Sequence, residues 1–106
     1  MATSVTDVPA EQRFEIREDG VPAGFAAYRI VGDRITFHHT EVYDGFEGRG
    51  LALVLVDEAL ADARRRGLGV LPMCPYVRRV VARAPEKYLD LVPADARERF
   101  GLPAAD

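Results

Sequence analysis

The chain has 106 residues, 48% of them hydrophobic, which suffices for one small domain with a modest core. Its net charge of −3 gives no basic field for nucleic acid, and its single cysteine, Cys74, excludes an internal disulfide and a cysteine-based zinc site. No run approaches the roughly 18 apolar residues of a membrane span and no signal-peptide pattern opens the chain, so a reducing, cytoplasmic setting is expected.

Residues 1–10 carry Ser, Thr, Asp and Pro without periodicity and read as a disordered leader. The folded domain is expected over residues 11–93. Residues 13–17 alternate as Arg-Phe-Glu-Ile-Arg, the pattern of a half-buried strand. Asp19-Gly20 is a hairpin signal, residues 23–31 form a second strand, Gly32-Asp33 turns the chain, and residues 34–42 form a third. These strands read as an antiparallel meander.

The next segment is Glu47-Gly48-Arg49-Gly50-Leu51-Ala52, a glycine turn opening into an apolar helix that runs to about residue 66. Ala52, Leu55, Val56, Ala59, Leu60 and Ala63 recur at helical spacing, with Asp57, Glu58, Asp62 and Arg65 mostly opposite. Arg64, Arg65 and Arg66 suit the negative end of the helix dipole, and Gly67 supplies the stop. Residues 70–74 read as a short buried strand, so the helix is a crossover between neighbouring strands. Pro75 begins a second helix over residues 76–84, which Pro85 ends. Residues 88–92 form a short edge strand or an irregular turn. Residues 94–106 form a polar tail, mobile or a loosely packed helix. The fold class is α+β: a mixed, mostly antiparallel sheet of four or five strands with one long and one short helix.

A strand feeding a glycine turn feeding a helix is an anion site. The first N–H groups of the helix lack an internal partner, the dipole is positive there, and Gly48 and Gly50 let the backbone approach a ligand. A phosphorylated ligand is therefore expected. A Walker A loop is excluded because no Gly-Lys-Ser or Gly-Lys-Thr occurs, and a dinucleotide fingerprint because its glycine spacing and leading strand are missing.

The segment and its context resemble the GNAT superfamily of N-acetyltransferases, whose coenzyme A loop reads Gln/Arg-x-x-Gly-x-Gly/Ala between a strand and the long helix. Gly50 and Ala52 match, and Glu47 departs where Gln or Arg stands. His39-Thr40-Glu41-Val42, residues 70–77 (Val-Leu-Pro-Met-Cys-Pro-Tyr-Val), Pro85-Glu86-Lys87-Tyr88 and Asp90-Leu91-Val92 are similar to the small YjdJ-like branch of that superfamily. The resemblance covers roughly residues 14–92 and implies a minimal GNAT fold, acetyl-CoA as cofactor and acetyl transfer to an amine acceptor.

On that resemblance the third strand and the strand at 70–74 splay apart around the pantetheine arm. Its amides pair with backbone near Thr40, Glu41 and Val42, and the pyrophosphate sits on the N–H groups of Gly48, Arg49, Gly50, Leu51 and Ala52. Glu47 lies in the same loop as a carboxylate that repels phosphate. His39 and Glu41 are the base candidates, and strand alternation puts them on one face with Ile35 and Phe37, with His38 and Thr40 opposite. Each also reads as plain structure: a hydrogen-bonded histidine at the core edge and a solvated strand-end carboxylate.

Cys74 is either a small buried hydrophobe or the residue that carries the acetyl group or a proton, beside a helix start with Arg78 and Arg79 nearby. Tyr76 is a second acid candidate or an aromatic anchor. Arg78, Arg79 and Arg83 form a basic face, either solvated or in contact with the adenosine 3′-phosphate, a role for which Arg49 competes. Two further readings stay open: a non-catalytic module that binds CoA or acyl-CoA, and an interaction domain without cofactor. The acceptor and the oligomeric state are not legible.

Overall fold

A computed structural model describes residues 2–104 and arranges them around a 5-stranded sheet. The strands are β1 (Thr3–Val8), β2 (Arg13–Glu18), β3 (Val21–Val31), β4 (Arg34–Val42) and β5 (Gly69–Pro72), adjacent in that order. The first four form an antiparallel meander. β5 joins β4 in parallel after a crossover through α1 (Leu51–Arg65). Three shorter helices follow: α2 (Pro75–Arg83), α3 (Pro85–Tyr88) and α4 (Ala94–Arg97). This is the mixed, mostly antiparallel α+β sheet that the alternation predicts. Among the described residues no helix is long and apolar enough to cross a membrane.

One face of the sheet is covered. Leu51, Leu55, Val56, Ala59, Leu60 and Ala63 form the buried stripe of α1 and share one core with Phe14, Ile16, Ala26, Tyr28, Ile35, Phe37 and Val70. Phe14 anchors the aromatic part, with ring centroids 5.3 Å from Tyr28 and 6.3 Å from Phe37. The opposite face stays largely polar: Arg13, Glu15 and Glu41 lie on it, with Phe25 the large apolar side chain among them.

Three expectations need correction. Residues 3–8 of the expected leader are β1, paired with β2 along its whole length, and Pro9–Glu11 is a 3-10 turn. The strand is fixed by side chains far away in sequence: the Tyr28 hydroxyl donates to Asp7 Oδ1 (2.6 Å), and Arg66 lies 3.5 Å from the same carboxylate. Of the two alternatives for residues 88–92, the strand is overturned and the turn is what forms: α3 runs into a 3-10 turn at Leu89–Leu91, which buries Leu91. The tail is not loose either. Ala96, Phe100 and Leu102 are buried, and a forked pair from Arg34 to Asp95 (2.8 and 3.0 Å) holds it, with a second fork from Arg64 to Asp90 (2.6 and 3.1 Å) just before it. A Cβ on Gly69 would meet Pro93 at 2.8 Å, so the tail lies directly on the start of β5.

Candidate functional site

Two departures from regular pairing build the site. The first is the end of β5. β4 and β5 pair only from Arg34 opposite Gly69 to Phe37 opposite Pro72. Proline offers no N–H to continue a ladder. The chain then turns: the Met73 N–H donates to the Leu71 carbonyl (3.0 Å) and the Cys74 N–H to the Phe37 carbonyl (2.8 Å) before α2 starts at Pro75. From His38 to Val42, β4 has β3 on one side and no strand on the other.

The second departure is a β-bulge. Ala27 opposes His39 and Tyr28 opposes Phe37, so His38 is an extra residue. The alternation of β4 resets there. Thr40 and Val42 oppose Ala26 and Gly24 on the helix-covered face, whereas His39 and Glu41 oppose Ala27 and Phe25 on the open one. The expected grouping of His39 and Glu41 with Ile35 and Phe37, opposite Thr40, is therefore inverted.

The sequence-derived candidates divide accordingly. On the open face His39 Nε2 lies 3.2 Å from Glu41 Oε1, with both side chains about half exposed. The imidazole packs tilted against Phe25 with ring centroids 5.6 Å apart, and the Phe25 ring also meets Tyr43 (6.0 Å) and the Arg13 guanidinium (4.9 Å). On the covered face Cys74 is buried, caps α2 and directs its Sγ to Thr40 Oγ1 at 3.4 Å. The thiol thus meets Thr40 across the place where β4 and β5 part. His39 and Glu41 belong to the other side of β4.

The glycine turn has the expected form. Gly48 and Gly50 take φ of 76° and 75°, the left-handed region where a Cβ is strained. Gly50 caps α1 without a side chain, and the first helical bond runs from the Val54 N–H to the Gly50 carbonyl. The N–H groups of Leu51, Ala52 and Leu53 therefore have no helical acceptor, and the first turn carries no acidic residue.

The loop's charged side chains are turned to its own construction. The Glu47 carboxylate accepts from its own N–H and from that of Gly45 (2.8 Å), which holds its pKa below the usual carboxylate value. Arg49 pairs with the buried Glu18 (3.2 Å), donates to the Gly45 carbonyl (3.3 Å) and lies 5.4 Å over the Phe46 ring. The Glu47 carboxylate thus stays charged and is tied to the Gly45 N–H, and Arg49 is engaged within the fold. Arg78 is occupied too. It donates to the carbonyls of Pro72 (3.4 Å) and Met73 (3.2 Å) and lies over Phe100.

A cavity of about 230 Å³ runs along this turn, lined by Val42, Gly48, Gly50, Leu51, Ala52 and Tyr76 among others. A larger one, about 350 Å³, lies between α1 and α2, with Arg79 and Arg83 in its wall. Leu53 and Tyr76 line both. Leu53 and Gly24 escaped the sequence reading. Leu53 is 51% exposed in the first turn of α1, an apolar residue off the buried stripe, and that misfit was its signal. Gly24 sits where an added Cβ would come within 2.3 Å of the Glu41 carbonyl oxygen, so β3 and β4 approach closely at the open end.

A family model described as GCN5-related N-acetyl-transferase matches residues 13–91. No curated protein matches the chain in sequence. Among solved structures the fold is similar to that of a GCN5-like protein from Staphylococcus aureus, with a TM-score of 0.63 and 22% identity over 85% of this chain and 87% of that one. It is also similar to a ribosomal-protein-alanine N-acetyltransferase from Brucella melitensis biovar Abortus 2308, with a TM-score of 0.55 and 22% identity over 77% of this chain and 58% of that one. The chain thus spans little more than half of the second protein.

Proposed function

The chain belongs to the GCN5-related N-acetyltransferase family, a family of acyltransferases, and from that premise we propose that it transfers an acetyl group from acetyl-CoA to an amine acceptor. The observation that carries the reading is the unpaired half of β4 ending beside the uncapped start of α1. Backbone from Thr40 to Val42 is free on one edge to pair with the amides of a pantetheine arm. Leu51, Ala52 and Leu53 present N–H groups to a pyrophosphate, and no acidic side chain of the first turn opposes it. The donor supplies an activated thioester carbonyl.

The chain's own groups divide the proton transfers between them. On the open face Glu41, hydrogen-bonded to His39, takes a proton from the incoming amine, or His39 takes it and Glu41 orients the ring. On the covered face Cys74 and Tyr76 are the groups able to give a proton to a departing thiolate, and Cys74 is also a nucleophile able to carry the acyl group. Backbone N–H groups of β4 steady the developing oxyanion. A lone thiol held in the interior suits a reducing cytoplasm.

Acetyl-CoA at 100 times its Kd raises the stability of the full chain by about 2.7 kcal/mol, read as a shift in thermal denaturation. Mass spectrometry of an amine panel incubated with protein and acetyl-CoA then finds an acetylated product. Absence of any thermal shift at millimolar acetyl-CoA overturns the reading. A shift without turnover on any amine reduces it to ligand binding.

A further inference from the structure

We propose that Glu18 and Arg49 are a positioning pair for the donor site: their ion pair braces the loop of residues 43–50 against β2, so that the N–H groups at the start of α1 stand in place before acetyl-CoA arrives. This rests on the donor reading above. The proton transfers leave Glu18 without a task, yet it is the buried charged side chain among the described residues. It follows Phe14 and Ile16 on the covered face of β2, as the last residue of that strand. A carboxylate with 5% of its side chain exposed is costly unless a cation answers it. Among the described residues the Arg49 guanidinium does so, at 3.2 Å.

The loop needs such a brace. Gly45 takes a φ of 92°, so it joins Gly48 and Gly50 in the left-handed region, and glycine is the residue with the most conformations open to it. Ahead of the helix, the described backbone makes one hydrogen bond within the loop, from the Phe46 N–H to the Tyr43 carbonyl (3.1 Å). Side chains supply the rest, and they meet at Gly45. Glu47 accepts from its N–H (2.8 Å), and Arg49 Nη2 donates to its carbonyl (3.3 Å). The same guanidinium lies over the Phe46 ring and reaches Glu18 through Nη1. A planar fork with donors at both ends suits this double task, whereas the ammonium of a lysine is a point charge. Gly50 follows Arg49 directly, and its carbonyl accepts the first helical bond. Fixing Arg49 therefore fixes where α1 begins and where the N–H groups of Leu51, Ala52 and Leu53 point. An anion site assembled beforehand binds more tightly than one that the ligand must order.

Isothermal titration of the full chain with acetyl-CoA, together with hydrogen exchange of the ligand-free protein, tests the inference. Glu18→Gln keeps the size of the side chain and removes its charge. It is expected to raise the Kd about tenfold, the factor for a loop that stands ready about one-tenth of the time. Arg49→Gln is expected to do the same, and the double variant to bind no worse than the weaker single one, because one brace is lost only once. Arg49→Lys, which keeps the ion pair and loses the fork, falls between these and the wild type. In each variant exchange quickens at the Gly45, Phe46 and Arg49 amides, while those of β2, β3 and β4 keep their wild-type rates. If Glu18→Gln binds as tightly as the wild type or tighter while Arg49→Gln binds more weakly, Arg49 touches phosphate itself and the inference is overturned. Faster exchange throughout the sheet with an unchanged Kd overturns it too and leaves the pair a matter of stability alone. The donor reading survives either result. Should Arg49→Gln fail to fold with Glu18 unpaired, Glu18→Gln and Arg49→Lys carry the same comparison. Failure of the wild type to bind acetyl-CoA overturns the donor reading and the inference together.

Discussion

β4 is two strands in one. From Arg34 to Phe37 it has a partner on each side, and Ile35 and Phe37 are buried. From His38 to Val42 it has one partner, a bulge at its start and half-exposed polar side chains. The same nine-residue run thus supplies the centre of the core and the edge of the site. What separates them is Pro72, which ends the ladder on one side, and His38, which resets the faces on the other. On the proposed function, stability and chemistry divide along β4 at one residue, so each can be perturbed with limited damage to the other.

That division can be broken or sharpened by substitution. Phe37→Ala, in the paired half, should cost about 3–5 kcal/mol in chemical denaturation, because a fully buried aromatic leaves a cavity. Glu41→Gln and His39→Ala, in the open half, should leave stability within about 0.5 kcal/mol, while the one that removes the base lowers kcat about 100-fold. Loss of stability instead of rate would make the open half structural. Tyr28, opposite Phe37, is pushed from 10.0 to about 12 by burial and by its bond to Asp7. The folded state therefore holds that proton more tightly than the unfolded chain. Its contribution is complete below pH 10 and is lost as pH rises to about 12, by about 2–3 kcal/mol at most. Melting of Tyr28→Phe over the same range should lack that fall. Gly24→Ala forces β3 away from the Glu41 carbonyl, costs about 1–3 kcal/mol and should weaken acetyl-CoA binding by displacing the open half. His38→Ala is the smallest effect, within about 0.5 kcal/mol by thermal denaturation, because the bulge is a matter of residue count rather than of the imidazole.

Much of this was legible in advance. Alternation marked β2, β3 and β4, helical spacing marked the buried stripe of α1, and Gly48 and Gly50 marked the turn. The bulge was not, because a slip of one residue carries no residue-type signature. Only the adjacent exposed pair His38-His39 breaks the alternation, and two histidines in a row fit a regular strand equally well. β1 escapes the pattern because its packed face carries one apolar residue, Val5, between Thr3 and Asp7. The tail was missed because its ties are distant: Asp95 answers Arg34, 61 residues away. Of the site, the loop and the Cys74 segment could be read locally. Which arginines are engaged inside the fold depends on Glu18 and on backbone carbonyls that only folding brings near.

The start of α1 is made of main-chain donors. Gly50 has no side chain, and the N–H groups of Leu51, Ala52 and Leu53 belong to the backbone that every residue shares. Such a cradle is inherited as a shape rather than as a set of letters. Substitution can replace most of the side chains around it without touching one atom that would face the ligand. Sequence can therefore vary widely around such a cradle while the fold stays recognisable: a structure only 22% identical to this chain matches it at a TM-score of 0.63. Likeness of fold among such proteins is better followed by the path of the chain through that turn than by the residues that happen to decorate it.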